Sequence, residues 1–163
     1  MTTYIIADTH FSDANILKFE NRPFSSVYSM NYAIIDSWNR TVEEDDEVYI
    51  LGDFGDFSKV NKLSGIKYLV KGNHDTLSNE ELRECGFSEV YDKPIILDDF
   101  FILSHEPMYV TENAPYANIF GHVHDNPMYK TVSSRSYCVS VERIDYTPIS
   151  FDEVKEAIRK ENE

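Results

Sequence analysis

The chain has 163 residues, a mass of 18.9 kDa and a formal net charge of −14, and 42% of its residues are hydrophobic. This length fits one domain with a buried core, and the composition is too apolar for a disordered chain. The negative charge disfavours tight binding to long nucleic acids, which depends on Lys and Arg neutralising phosphates. We therefore expect a single domain over residues 1–163 that acts on a small molecule.

Nothing near the start of the chain is typical of a secretory signal. The apolar run Tyr4–Ala7 reaches Asp8 at once, and no stretch approaches the roughly 18 consecutive apolar residues of a membrane span. The two cysteines, Cys85 and Cys138, form no Cys-x-x-Cys pair. We expect reduced thiols, a cytoplasmic location and no membrane association.

Short apolar runs rich in β-branched and aromatic residues predict the strands. In chain order they are Tyr4–Ala7, Val48–Leu51, Ile66–Val70, Ile95–Leu97, Phe100–Leu103, Ala117–Phe120 and Tyr137–Val141. Helical patterns lie between or after several of these runs, at Val27–Trp38 with Ser25 or Ser26 as its N-cap, at Ser78–Glu84 and at Phe151–Lys160. The alternation predicts an α/β layered fold, and the closer succession of the later strands predicts that part of the sheet is antiparallel.

Polar side chains that can bind metal ions follow five of the predicted strands. The segments are Asp8-Thr9-His10, Gly52-Asp53-Phe54-Gly55-Asp56, Gly72-Asn73-His74-Asp75, Ser104-His105 and Gly121-His122-Val123-His124. Open α/β sheets bind ligands beyond the carboxyl ends of their strands, so we expect these side chains to meet at one edge. Each segment alone is as typical of a turn as of a site, because Gly and Asn favour tight turns. A metal site is favoured by the conjunction, since all five histidines of the chain lie in these segments.

The five segments resemble, in the same order, the motifs of the calcineurin-like metallophosphoesterases. These motifs are Asp-x-His, Gly-Asp-x-x-Asp, Gly-Asn-His-Asp/Glu, a later His, and Gly-His-x-His, and here they span residues 8–124. The resemblance implies a four-layer α/β/β/α sandwich with mixed sheets and a two-metal site at one edge. It implies that one ion is bound by Asp8, His10, Asp53 and His124, and the other by Asp53, Asn73, His105 and His122.

The resemblance also implies a mechanism in which a hydroxide between the two ions attacks phosphorus in line with the leaving group. His74 would bind neither ion and would donate a proton to the leaving oxygen, and Asp56 matches the family acid that orients this histidine. Nitrogen and oxygen ligands without thiolate indicate Mn, Fe, Zn, Ni or Co as the divalent ions. Among these we favour Mn.

One position departs from the protein-phosphatase branch of the family, in which an Arg follows the second Asp of the Gly-Asp motif. Here that position is Phe57, which counts against phosphoprotein substrates. The segment Asn15–Ser26 resembles a small bacterial and phage branch. We expect Arg22, beside Pro23, to bind a substrate oxygen, and the alternative is that Arg22 pairs with a surface acid.

These observations predict a two-metal hydrolase of small phosphate esters, with phosphodiesters favoured because the chain has no cap over its site. The alternatives are a phosphomonoesterase of the same mechanism and a non-catalytic scaffold. A nuclease-like complex has no support from so short and acidic a chain. Four aromatic residues near the motifs could stack on a base or pack in the core, namely Phe11, Phe24, Phe54 and Phe57.

Overall fold

The computed structural model describes the whole chain, Met1–Glu163, as two five-stranded sheets with four α-helices. The first sheet contains β1 (Thr3–Ile6), β2 (Glu47–Ile50), β3 (Ile66–Val70), β4 (Glu89–Tyr91) and β10 (Ile149–Ser150). The second contains β5 (Ile95–Leu97), β6 (Phe101–Ser104), β7 (Ala117–Phe120), β8 (Val132–Ser133) and β9 (Ser136–Cys138). The helices are α1 (Ala14–Phe19), α2 (Val27–Thr41), α3 (Asn79–Cys85) and α4 (Phe151–Glu161).

Both sheets are mixed, which confirms the predicted α/β class with mixed sheets. The order of the first sheet is β10-β1-β2-β3-β4, and only β10 runs antiparallel to its neighbour. The order of the second is β5-β6-β7-β9-β8, in which β6, β7 and β9 are parallel. The carboxyl ends of the parallel strands therefore lie together at one edge of each sheet.

Two apolar clusters fill the spaces between the layers. One packs the outer face of the first sheet against α2, with Met30, Ile34 and Trp38 of the helix fully buried. The other joins the inner faces of the two sheets and includes Phe151 and Val154 of α4. Helix α4 contacts strands of both sheets, β1 and β10 of the first and β8 and β9 of the second. None of these helices is both long enough and apolar enough to cross a membrane.

The long elements lie close to their predicted positions, since their caps and apolar periods mark them clearly. Helix α2 begins after Ser26, whose hydroxyl accepts from the backbone of Ser29. Short elements were not predicted, namely α1, β4, β8 and β10. The predicted strand Tyr137–Val141 ends earlier, because the chain pairs at Ser140 with Ala7 and then forms a 3₁₀ turn over Val141–Arg143.

Candidate metal centre

The predicted motif residues occupy the loops that leave the parallel strands, and much of this backbone is left-handed. Such φ angles are uncommon for residues other than glycine and concentrate at functional sites, where the surrounding structure must hold them. Five motif residues adopt them: Asp8 (φ 60°), His10 (47°), Asp53 (52°), His122 (69°) and His124 (48°).

Two glycines allow the loops to approach each other closely. A Cβ at Gly72 would overlap the carboxylate of Asp53, and a Cβ at Gly121 would lie 2.9 Å from Oδ2 of Asp8. At both positions the lack of space, and not the backbone angle, requires glycine, since neither Gly72 nor Gly121 has a positive φ.

One group of side chains brings together Asp8, His10 and His124, whose potential ligand atoms all lie within 4.8 Å of one another. Asp8 is fully buried, and its Oδ2 accepts from the Ser140 hydroxyl at 2.6 Å and from the His122 amide at 2.8 Å. Its Oδ1 is buried and has no hydrogen-bond partner, and the same is true of Nε2 of His10. Burying polar atoms without partners is costly, so this pair of atoms indicates a bound group.

A second group brings together Asp53, His105 and His122 within the same 4.8 Å limit. Nε2 of His105 lies 2.9 Å from Oδ1 of Asn73 and 3.0 Å from Nδ1 of His122. The four residues predicted to share the second ion therefore converge.

Asp53 belongs to the second group and also lies close to the first. Its Oδ2 lies 3.6 Å from Nε2 of His10, in the first group, and 3.4 Å from Nε2 of His105, in the second. Its Oδ1 accepts from the backbone amide of His74 at 2.9 Å. Asp75 fixes the loop further, because its carboxylate accepts from the amides of Asp53, at 2.8 Å, and Gly72. One carboxylate oxygen thus faces both clusters of donors.

Three ring nitrogens are held from outside these groups. Nδ1 of His105 donates to the Leu51 carbonyl at 2.7 Å, Nδ1 of His124 lies 3.0 Å from Glu142 Oε1, and Nδ1 of His10 lies 3.4 Å from Asp13. Such outer partners fix the orientation of an imidazole and leave its Nε2 to point inward. Sequence reasoning missed Asp13, Glu142 and Ser140, because none belongs to a ligand motif.

The charges of the centre are perturbed by burial and by one another. Burial raises the pKa of Asp8 to about 6. Burial also opposes ionisation of Asp53, but its contact with His105 holds the pKa of Asp53 at about 2. Burial favours the neutral ring of His105, yet the nearby carboxylates raise its pKa to about 9, whereas burial lowers the pKa of His10 to about 4. At neutral pH the proton on the His105 ring therefore offsets part of the negative charge of the carboxylates.

His74 lies at the exposed side of the centre. Its ring is edge-on to the ring of His10, with centroids 5.6 Å apart, and it belongs to neither group of potential ligands. Asp56 does not orient it. The Asp56 carboxylate instead accepts from Ser12 at 2.7 Å and from Ser58 at 2.6 Å. This corrects the expectation for Asp56, since the carboxylate is used to cap the 3₁₀ helix Phe57–Lys62.

Arg22 is also placed differently from its predicted role. Its side chain is fully buried and donates to the carbonyls of Asp8, at 2.6 Å, and Thr9, at 2.9 Å. Its Nε and Nη2 lie 2.8 and 2.7 Å from Oε1 of Glu142. The guanidinium is therefore not free to bind a substrate oxygen, and the acid that it pairs with is a buried one.

The four aromatic residues near the motifs pack in the interior. Phe11 and Phe54 are buried, and Phe24 and Phe57 pack against the same core cluster. The ring of Phe57 lies parallel to that of Phe54, with centroids 5.7 Å apart. These contacts agree with a role of the four rings in core packing.

Three comparisons with known proteins agree with this arrangement. Residues 1–129 match the family model described as calcineurin-like phosphoesterase. An uncharacterized protein of Methanocaldococcus jannaschii is 36% identical over 170 residues, which cover 96% of this chain and 91% of the relative. A crystal structure of a protein of unknown function from Aquifex aeolicus, AQ665, superposes with a TM-score of 0.71 at 30% identity, covering 95% of this chain and 98% of that one.

A more distant structure, the nuclease MPE of Pseudomonas putida, has a TM-score of 0.52 at 24% identity and covers 75% of this chain and 61% of its own. At that identity the likeness shows the fold alone. The match of the family model extends over all five motifs and both groups of converging side chains. The chain belongs to the calcineurin-like phosphoesterase family, whose members hydrolyse phosphate esters with the help of divalent metal ions.

Proposed function

We propose that this protein hydrolyses small phosphodiesters with two divalent transition-metal ions, of which Mn is favoured. The observation that carries the proposal is the position of Asp53 Oδ2 between Nε2 of His10 and Nε2 of His105, at 3.6 and 3.4 Å. A carboxylate oxygen that faces two clusters of imidazole would supply negative charge to a pair of cations held by those clusters.

The residues present fit this cofactor. Two atoms of the first group are buried without a hydrogen-bond partner, Oδ1 of Asp8 and Nε2 of His10. The first is a carboxylate oxygen and the second offers a ring lone pair, so both can bind a metal ion. The ion of that group would be held by Asp8, His10, Asp53 and His124. The ion of the second group would be held by Asp53, Asn73, His105 and His122. The four imidazoles count against Mg, which prefers oxygen ligands and water, whereas the oxygen donors of Asp8, Asp53 and Asn73 also suit Mn.

When bound, two such ions supply Lewis acidity that activates water and offsets the charge of the phosphoryl group. The chain itself supplies a proton donor for the leaving oxygen, His74, whose backbone is fixed by Asp53 and whose ring is exposed beside His10. A positioned proton donor of this kind contributes about 10²–10⁴ to the rate.

Charge favours a diester over a monoester. A monoester carries nearly two negative charges at neutral pH, because its second pKa is about 6. Neither Phe57, at the usual Arg position, nor the buried Arg22 offers a guanidinium to a second charge. An open cleft beside Asn73 and His105 leaves room for the second alcohol of a diester.

The net charge of −14 favours a small ester over a long nucleic acid as the partner. We also place the protein in the cytoplasm, because Cys85 and Cys138 are both free thiols.

Activity should be measured on chelator-stripped protein with Mn, Zn, Ni or Mg added singly. The substrates are an aryl phosphodiester, the matching aryl monoester and single-stranded DNA. We expect no turnover without metal, the largest kcat/KM with Mn and the diester, and no cleavage of the DNA. Full turnover after exhaustive chelation would contradict the two-metal mechanism. A higher kcat/KM for the monoester would favour the phosphomonoesterase alternative, and metal binding without turnover of any ester would favour the scaffold.

A further inference from the structure

Glu142 makes a buried contact that belongs to none of the family motifs. It lies in the 3₁₀ turn after β9, its side chain is only 5% exposed, and its Oε1 lies 3.0 Å from Nδ1 of His124. The same oxygen accepts from Nε and Nη2 of Arg22 at 2.8 and 2.7 Å. One carboxylate oxygen therefore joins a residue of the Gly-His-x-His motif to a residue more than a hundred positions earlier in the chain.

Arg22 extends this contact to the first motif. Its Nη2 donates to the Asp8 carbonyl at 2.6 Å, and its Nη1 donates to the Thr9 carbonyl at 2.9 Å. Asp8 has a left-handed φ of 60°, which costs free energy unless other contacts hold the backbone in place. The guanidinium thus fixes the strained backbone at Asp8 and, through Glu142, the ring of His124.

This network acts on one of the two groups of side chains. Asp8 and His124 both belong to the first group, whereas Nδ1 of His105 in the second group is held by a backbone carbonyl, that of Leu51. Because Glu142 occupies Nδ1 of His124, its Nε2 is left for the interior of the first group. The orientation of the first group therefore depends directly on two buried side chains, Arg22 and Glu142. The second group meets this network only through the His122 amide, which donates to Oδ2 of Asp8.

We infer that Arg22 and Glu142 form a positioning unit that sets the affinity of the first metal ion, the one held by Asp8, His10, Asp53 and His124. The inference rests on the proposed two-metal function. It gives Arg22 a role at the centre without contact with substrate. Removing an outer partner of this kind typically lowers metal affinity by about 10–100-fold.

The matched control is Glu20. Glu20 forms a third set of potential ligands with His124 and Glu142, whose ligand atoms also lie within 4.8 Å of one another. Glu20 makes no hydrogen bond to the ring of His124, whereas Glu142 does. Glu20→Ala therefore removes an equal charge from the neighbourhood of His124 and leaves its outer hydrogen bond in place.

The test is a Zn²⁺ titration of the full chain after its metal ions have been removed with a chelator. Calorimetry and ¹⁵N NMR of the histidine rings monitor the titration. In the wild type, two ions should shift the ring nitrogens of His10, His105, His122 and His124. In Glu142→Ala the signals of His105 and His122 should shift at wild-type Zn²⁺ concentrations. Those of His10 and His124 should require about 10–100-fold more. Glu142→Gln keeps an acceptor oxygen and should restore most of the affinity.

Arg22→Lys serves as a second variant if Glu142→Ala does not fold, as judged by circular dichroism. One ammonium cannot reproduce the fork of contacts, so this variant should also weaken the first ion selectively. Wild-type affinity at both groups in these variants would overturn the inference, as would an equal loss in Glu20→Ala. A wild type that binds no Zn²⁺ at these histidines would instead refute the proposed two-metal function itself.

Discussion

Several residues of the centre follow the ends of parallel strands and have a strained, left-handed backbone. The order of the motifs predicts that Asp8, Asp53 and His105 meet, because the carboxyl ends of parallel strands share an edge. The partner of Arg22 could not be predicted in the same way. Glu142 reaches Arg22 only because the chain after β9 pairs at Ser140 with Ala7, and no local pattern indicates this contact.

Asp56 shows a different limit of sequence reasoning. Its spacing from Asp53 matches the family motif, but its carboxylate caps a short 3₁₀ helix that the apolar pattern does not reveal. An N-cap side chain accepts a hydrogen bond from a backbone amide in the first turn of its helix, and this contact determines where the Asp56 carboxylate points.

His74→Asn should lower kcat by about 10²–10⁴ while both metal ions remain bound, because His74 belongs to neither group of potential ligands. Elemental analysis and steady-state kinetics on the same preparation check this. The matched variant is Asp53→Asn, which should lose at least one ion, since a neutral amide is a poor bridge between cations. Loss of an ion from the His74 variant would contradict its placement outside the ligand groups.

Metal binding at the second group should release a proton and strengthen with rising pH. The pKa of His105 is raised to about 9, so its ring holds a proton at neutral pH that a metal ion must displace. The apparent affinity should therefore rise between about pH 6 and 9 and level off above that range. Calorimetry in buffers of different ionisation enthalpy measures the proton release, and an affinity that does not change over this range would refute the assignment.

The three helices that the sequence predicts all begin with a clear N-cap residue. Helices α2, α3 and α4 each begin after a serine whose hydroxyl accepts from the third residue of the helix, and all three are predicted within a few residues. Helix α1 has only six residues and a single buried one, Ile16, so it has no clear apolar period. Strands β8 and β10 have two residues each, too few to show alternation.

Ser150→Ala should lower the free energy of unfolding by about 0.5–2 kcal/mol and leave metal content unchanged. The Ser150 hydroxyl accepts from the Glu153 amide at 3.2 Å, and Glu153 returns the bond to the Ser150 amide, also at 3.2 Å. Urea unfolding measures the effect. Ser88→Ala, at an exposed serine whose hydroxyl makes no hydrogen bond, is the control and should change stability little. Equal losses in the two variants would contradict the role of the cap.

The two sheets bring six loops to one edge of the molecule, those that follow β1, β2, β3, β6, β7 and β9. The bridges between Ala7 and Ser140 and between Phe11 and Gly55 join the loops that leave β1, β2 and β9. The pairing of layers was predictable from alternation of strands and helices together with the family resemblance. The packing of α4 against both sheets was not, because an amphipathic helix does not specify which of two apolar faces it covers.

Crystals of Mn-loaded protein test the proposal that two metal ions share the carboxylate of Asp53. Anomalous difference density should show two peaks about 3.5–4 Å apart, one on each side of Asp53 Oδ2. The nearer side chains should be Asp8, His10 and His124 for one peak and Asn73, His105 and His122 for the other. A single peak in fully loaded crystals, or two peaks away from Asp53, would show that Asp53 does not join two metal ions.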